Sequence, residues 1–189
     1  FVPVTFPLGT KSFQRLIESK TQGDLNEYVN KANEMWSDSL RRIVLDEFII
    51  KRDVRNRDIM YISGGVVWAI ASLMHPESAN TNYTEITARD IAEFRRMLVA
   101  DYDKLINPDL SYIPVPENAR ECQKNINRVL KTYDRKALLA GTIWFDNLIQ
   151  EINTINPSKK FIYAKYAYVG WISGYIIKKV TQQYTGLVN

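Results

Sequence analysis

The stretch Ile59-Met60-Tyr61-Ile62-Ser63-Gly64-Gly65, together with the apolar segment after it, decides the fold class of this chain. The four apolar residues at its start are typical of a short buried strand, and the Ser-Gly-Gly triplet is typical of a turn. Residues 66–74 are apolar on nearly every side, which predicts a buried helix that ends at His75-Pro76. A strand that runs through a tight turn into a helix indicates an α/β domain.

The turn formed by Ser63, Gly64 and Gly65 is a candidate anion site. Backbone N–H groups at the start of a helix have no intrahelical partner, the helix dipole is positive there, and glycine lets a phosphate approach closely. The sequence is not a P-loop, because no Gly-Lys-Ser/Thr follows, and it is not G-x-G-x-x-G. A tight strand-to-helix turn without a ligand is an equally compatible interpretation, so the pattern alone leaves both open.

Basic residues cluster just before the strand, at positions Lys51, Arg52, Arg55 and Arg57. Phosphate recognition requires such groups, and Arg55 and Arg57 are candidate phosphate ligands. The competing interpretation is a solvated turn near a helix end, because two aspartates lie among these cations.

The rest of the chain predicts mainly helices. Possible caps at Asp24, Thr87 and Asp134 precede apolar residues at three- and four-residue spacing. We expect helices over about 25–50 (or a pair broken near Ser37), 88–105, 119–133, 135–152 and 170–179. Short strands are expected at 83–86 and 161–163. Residues 1–13 alternate β-forming residues with proline and glycine, which predicts extended chain or an edge strand. The whole chain, 1–189, is therefore expected to form one helix-rich α/β domain with a short-stranded sheet.

The composition excludes several kinds of site. The chain has one cysteine and one histidine, so an intramolecular disulfide, a cysteine-rich zinc site and a multi-histidine metal centre are impossible. Cys122 lies on an apolar helix face and His75 at a helix end, and we interpret both as structural. The carboxylates are scattered, so the residues alone indicate no complete catalytic set and no metal site.

The formal net charge of +4 is confined to one segment. After Glu151 the chain has no acidic residue, and it carries Lys159, Lys160, Lys165, Lys178 and Lys179. With Tyr163, Tyr166 and Tyr168 between them, these lysines could bind single-stranded nucleic acid. A buried strand and helix with lysines at their ends is the favoured interpretation, so nucleic acid is not expected as a partner.

The most apolar stretch, residues 166–177, has 12 uncharged residues, whereas a bilayer crossing needs about 20. Gly170 and Gly174 therefore indicate a closely packed buried helix, not a membrane helix. No signal peptide is visible, so we expect a cytoplasmic protein with no membrane partner. Because the chain begins at Phe1, we expect a processed product or a fragment.

Four segments resemble, in order and spacing, the exopolyphosphatase / guanosine pentaphosphate phosphohydrolase (Ppx/GppA) family. They are Phe6-Pro7-Leu8-Gly9-Thr10-Lys11, Ile62-Ser63-Gly64-Gly65 with the helix after it, Asp134-Arg135-Lys136-Ala137-Leu138-Leu139-Ala140-Gly141, and Gly170-Trp171-Ile172-Ser173-Gly174. The resemblance implies the second domain of an actin-like (ASKHA, ribonuclease H-like) phosphatase unit, whose first domain would precede Phe1.

The resemblance also implies a function. The parent would be a hydrolase that cleaves phosphoanhydride bonds of inorganic polyphosphate or pppGpp with Mg²⁺, whose ligands and catalytic carboxylate would lie in the first domain. This chain would line the phosphate cleft, with Ser63, Gly64, Gly65 and Lys11, Arg55 or Arg57 facing the ligand, and would be inactive alone. Its partners would be that domain and the phosphate ligand, with a homodimer as the family's usual assembly.

Three positions depart from the family pattern. Val66 replaces a threonine, and Ile172 and Ser173 replace an arginine and a glutamate. These losses motivate an alternative in which the protein keeps the fold but acts as a non-catalytic phosphate- or nucleotide-binding regulator.

Overall fold

A computed structural model describes residues 9–43 and 56–167 of the chain. The predictions for residues 1–8, for the basic residues Lys51, Arg52 and Arg55, and for the 170–179 helix lie outside the described residues. The helices and strands follow one another in this order: α1 Thr10–Glu18, α2 Leu25–Met35, a π-helical turn Trp36–Leu40, β1 Ile59–Ile62, α3 Gly65–Met74, a 3₁₀ turn Pro76–Asn80, β2 Tyr83–Glu85, α4 Ala88–Ala100, α5 Tyr102–Ile106, α6 Pro116–Thr132, α7 Arg135–Ile155 and β3 Lys160–Ala164.

The described strands form a small mixed sheet in the order β1-β3-β2. Strand β3 lies in the middle and runs parallel to β1, with Ile62 paired to Tyr163. It runs antiparallel to β2, with Glu85 paired to Ile162. Since α3, α4, α6 and α7 all lie between β1 and β3 in sequence, the parallel pair is joined by a long helical crossover, as parallel strands require. The described part of the chain is therefore helix-rich α/β, as predicted.

Helix α7 is the centre of the hydrophobic core. It packs against α1, α2, α3 and α4, and its middle, from Ala137 to Ile143, is buried on every side. Helix α1 can approach closely because α7 has a glycine there. A Cβ placed on Gly141 would lie 2.8 Å from Thr10 Cγ2 and 3.0 Å from Val66 Cβ. Gly141 therefore lets α1 and α3 pack against the same turn of α7.

The predicted helix caps are confirmed. The Asp24 carboxylate accepts from the N–H groups of Asn26 and Glu27, and the Asp134 carboxylate accepts from Ala137 N. Thr87 and Asp90 form a reciprocal capping box at the start of α4. Each cap satisfies backbone donors that the helix itself leaves unpaired.

Three sequence predictions need correction. Strand β1 is predicted as a buried strand, but Ile59 and Tyr61 are exposed, because β1 is an edge strand of the described sheet and alternate side chains point to its outer face. Residues 10–13 were predicted as extended chain but lie in helix α1, because Phe13 and Ile17, four residues apart, bury one face of a helix against the core. The helix predicted over 88–105 is two helices, α4 and α5, which meet at Asp101 (φ −131°). The predicted break near Ser37 coincides with the π-helical turn.

In the described residues, no helix combines the length and the apolar character that a bilayer crossing requires.

Candidate phosphate-binding turn

The turn between β1 and α3 is open to solvent. Ser63 and Gly64 are exposed, and no atom of residues 9–43 or 56–167 lies within 4 Å of the place where a Cβ on Gly64 would be. Gly64 has φ 141° and ψ 170°, a conformation that side-chain-bearing residues rarely adopt. The chain thus uses glycine where the backbone conformation requires it, at a point where the backbone itself faces outward.

Helix α3 begins without a side-chain cap. The first hydrogen bond within the helix runs from Trp68 N to Gly64 O and is 3.0 Å long. The N–H groups of Gly65, Val66 and Val67 therefore have no carbonyl partner within the helix. Among the described residues, no side chain accepts a hydrogen bond as a cap at Gly64. This contrasts with α4 and α7, whose caps are filled by side chains. In that part of the chain the start of α3 therefore has backbone donors without a capping side chain, at the positive end of a ten-residue helix dipole, although Val66 and Val67 are themselves buried.

Lys11, a predicted phosphate ligand, lies over the ring of Tyr133, a residue that packs against the turn. Its Nζ is 5.5 Å from the centre of the Tyr133 ring. The Tyr133 hydroxyl packs against Gly65, because a Cβ placed on Gly65 would lie only 1.8 Å from the hydroxyl oxygen. Tyr133 therefore connects Lys11 at the start of α1 to Gly65 at the start of α3.

Tyr133 is a site residue that the sequence prediction missed. It was assigned to the apolar face of a helix, and in the structure it is the residue at the C-terminal end of α6, half-buried. Burial raises the pKa of the Tyr133 hydroxyl, so at neutral pH this group is a neutral phenol that can donate a hydrogen bond. Its position between a cation and a glycine turn was not visible in the sequence, because it depends on the packing of α6 beside α3.

A second aromatic residue, Trp68, extends the site toward α6. Its ring lies edge-on to Tyr133, with centroids 6.4 Å apart. The guanidinium of Arg128 lies 5.7 Å from the Trp68 ring centre. Lys11 and Arg128 thus flank an aromatic pair beside the turn, and Arg128 was not among the predicted ligands.

Arg57 is not brought to the turn. It precedes β1, whereas Ser63 follows it, so the two lie at opposite ends of a strand about 13 Å long. At that end the Arg57 carbonyl accepts a hydrogen bond from Lys159 Nζ. The predicted pairing of Arg57 with the turn therefore lacks geometric support, and Arg55 lies outside the described residues.

The opposite end of α3 is closed by charged side chains. His75 Nδ1 lies 3.4 Å from Glu77 Oε1, and His75 Nε2 lies 3.3 Å from Asp90 Oδ1. Burial acts to raise the pKa of Asp90, but hydrogen bonds from Thr87 and the charge of His75 outweigh it and hold that pKa below its ordinary value. His75 thus lies between Asp90, which caps helix α4, and Glu77 of the 3₁₀ turn, which accepts a hydrogen bond from the Tyr112 hydroxyl.

The described residues include no group of three or more His, Cys, Asp or Glu side chains arranged to hold a metal ion. Cys122 is buried, and its thiol contacts Pro76 O at 2.8 Å. Burial raises the pKa of the Cys122 thiol, which disfavours the nucleophilic thiolate. Comparison of the chain with protein-family models, with curated proteins and with solved structures finds no match.

Proposed function

We propose that this chain is the second domain of an actin-like, ribonuclease H-like phosphohydrolase of the Ppx/GppA type, and that it lines the cleft where a polyphosphate or pppGpp phosphoanhydride is cleaved. The observation that carries the proposal is the open turn at Gly64, with uncapped N–H donors behind it and Lys11 beside it.

The position of the turn in the sheet supports the same proposal. Ser63 follows a strand that runs parallel to its neighbour β3. In open α/β sheets, ligands bind beyond the carboxyl ends of such parallel strands, where helices begin. The turn has that location, and Arg57, which precedes β1, does not.

Each group near the turn has a definite part in this proposal. The N–H groups at the start of α3 would donate to phosphate oxygens, and Gly64 would admit the phosphate without steric hindrance. Lys11 would neutralise charge, held over the Tyr133 ring, and the phenol could donate a further hydrogen bond.

Mg²⁺, where bound, would neutralise phosphate charge and orient the reacting groups. The described residues offer no ligand set for it, so its ligands and the water-activating carboxylate belong, in this proposal, to the first domain. This chain's own contribution is to bind and orient the phosphate chain.

A non-catalytic regulator on the same fold is the second candidate. The observation that favours it is Val66, which is buried against Gly141 at the start of α3. The resemblance places a threonine hydroxyl there, so this helix start has lost one hydrogen-bonding group. Such a protein would bind the phosphate ligand without turning it over.

Calorimetric titration of the 189-residue chain with tripolyphosphate and with pppGpp tests the binding claim. We expect Lys11→Gln to weaken binding about fivefold, the effect of losing roughly 1 kcal/mol. The matched control is Lys20→Gln, which removes the same charge just beyond the other end of α1 and should leave affinity unchanged. Equal effects of the two variants would refute the assignment of Lys11.

Phosphate release separates the two candidates. The protein containing both this chain and the residues encoded upstream is incubated with polyphosphate or pppGpp and Mg²⁺. Turnover supports the hydrolase, and tight binding without turnover supports the regulator.

A further inference from the structure

The outer face of helix α6 carries a basic groove that the proposed function does not use. A shallow groove of about 400 Å³ is lined by Arg120, Gln123, Lys124, Asn127, Arg128 and Lys131. All six side chains come from one helix and are exposed. Four of them are cationic, two are amides and none is a carboxylate.

Most of this positive charge is not neutralised within the fold. In the described part of the chain, Lys124 approaches Glu121 at 3.5 Å, an exposed and therefore weak pair. No ion pair involves Arg120 or Lys131 among those residues, and Arg128 lies against the Trp68 ring. The groove is thus a concentrated positive surface, which favours an anionic partner.

The cations follow one line along the helix. Residues 120, 124 and 128 are four apart, which places them about 6 Å apart along the axis, and the line ends at residue 131 after about 16 Å. That length suits several successive negative groups on an extended chain and exceeds what a single small anion would occupy. The partner chemistry is therefore a linear polyanion.

The two amides distinguish between polyanions. Gln123 Nε2 donates to Asn127 Oδ1 at 3.0 Å, which leaves the Gln123 oxygen as an acceptor and the Asn127 amide N–H groups as donors toward the groove. Inorganic polyphosphate and carboxylate side chains offer oxygen acceptors only, so they give the Gln123 oxygen no donor. A nucleobase edge offers donors and acceptors together.

From these observations we infer that the outer face of α6 binds the backbone of single-stranded nucleic acid, with Gln123 and Asn127 contacting bases between the cations. This inference goes beyond the proposed phosphohydrolase role and stands on the residues of α6, of which Arg128 also contacts Trp68 beside the turn. It also revises the expectation drawn from net charge. Up to Glu151 the positive and negative charges of the chain nearly cancel, so the net charge did not indicate that the outer face of α6 is positive.

Fluorescence anisotropy of a labelled oligouridylate with the 189-residue chain, over a salt series, tests the inference. Four phosphate contacts should give a slope of log K against log salt of about −3. The double variant Arg120→Gln/Lys124→Gln should bring the slope to about −1.5. The control Arg89→Gln/Lys104→Gln removes the same charge from exposed positions on α4 and α5 and should keep the steep slope.

A second variant tests the base contact. Gln123→Ala should weaken oligouridylate binding about fivefold, the loss of one hydrogen bond, without changing the salt slope. It should leave the affinity for inorganic polyphosphate unchanged, and Gln150→Ala on α7 should change neither affinity.

Three results would overturn the inference: no salt-dependent binding of oligouridylate, equal slopes for the two double variants, or a loss of polyphosphate affinity in Arg120→Gln/Lys124→Gln as large as its loss of oligouridylate affinity. The last two results compare variants that leave the turn at Gly64 unchanged, so polyphosphate bound at that turn does not affect them and they can fail while the proposed function holds.

Discussion

The two ends of helix α3 differ in how their polar groups are satisfied. At the C-terminal end, His75 lies between Glu77 and Asp90, and Asp90 also completes the capping box of α4. At the N-terminal end, Ser63 and Gly64 are exposed and no side chain of the described residues caps the helix, whereas Val66 and Val67 in its first turn are buried. In the described part of the chain, helix α3 therefore has polar side chains around its C-terminal end and no capping side chain at its N-terminal end.

We propose that this difference between the two ends of α3 identifies the end at which a ligand binds. Buried or half-buried polar groups in a stable fold mostly find partners within the protein. The C-terminal end of α3 does so in part: Thr87 donates to the Asp90 carboxylate, and His75 lies beside Glu77 and Asp90, although its Nε2 makes no hydrogen bond in the described part of the chain. In our proposal, the helix start at Gly64, held in a conformation that requires glycine, is where an external anion binds. The predictions below test each end separately.

The largest expected effect comes from Gly141→Val, which would disturb the packing that supports the open end. The added side chain would overlap Thr10 and Val66, and we expect a loss of about 3 kcal/mol in the free energy of unfolding, measured by urea denaturation. Adding Thr10→Ser removes the methyl group that lies nearest and should restore part of the loss. A double variant no more stable than Gly141→Val would contradict the close approach of α1 to α7.

A smaller effect is expected from Gly64→Ala at the open end. No atom blocks a Cβ there, so the cost comes only from the backbone conformation at φ 141°, and we expect about 2 kcal/mol. Gly9→Ala is the control, since Gly9 is also exposed and unobstructed among the described residues but has φ −114°; because Gly9 is the N-cap of α1, we expect this control to cost about 0.5 kcal/mol. Similar unfolding free energies for the two variants would show that Gly64 is not held in this conformation.

The smallest effect is expected from Asp90→Asn at the closed end. The folded-state pKa of Asp90 is lowered, so its carboxylate contributes stability that is present above the ordinary pKa of 3.8 and is lost as pH falls through the lower folded value. The variant should be less stable than the wild type by about 1 kcal/mol at pH 7. The difference in unfolding free energy between the two proteins should shrink as the pH falls below 3.8. A difference that does not depend on pH would contradict the electrostatic explanation.

The local parts of the fold could be predicted from the sequence because their signals are local. Strand β1, the turn, α3 and the caps at Asp24, Thr87 and Asp134 all follow from neighbouring residues. The start of α1 was mispredicted because the proline and glycine pattern of residues 1–13 concealed the spacing of Phe13 and Ile17.

The site was only partly predictable. Ser63, Gly64 and Gly65 could be found because a turn is contiguous in sequence. Tyr133 and Arg128 could not, since their approach to the turn is set by the packing of α6 against α3, more than 60 residues away in the chain. Arg57 was misplaced for a related reason: nearness in sequence to β1 does not specify which end of the strand a residue occupies.

The most direct test of the central claim is a titration of the ¹⁵N-labelled chain with tripolyphosphate, followed by the backbone amide resonances. We predict that the largest shifts occur at Ser63, Gly64, Gly65 and Val66, with a smaller shift at Lys11, while the resonances of His75 and Asp90 stay in place. Amide shifts confined to α6, or no shift at Gly64 and Gly65 at saturating ligand, would contradict the assignment of this turn as a phosphate site.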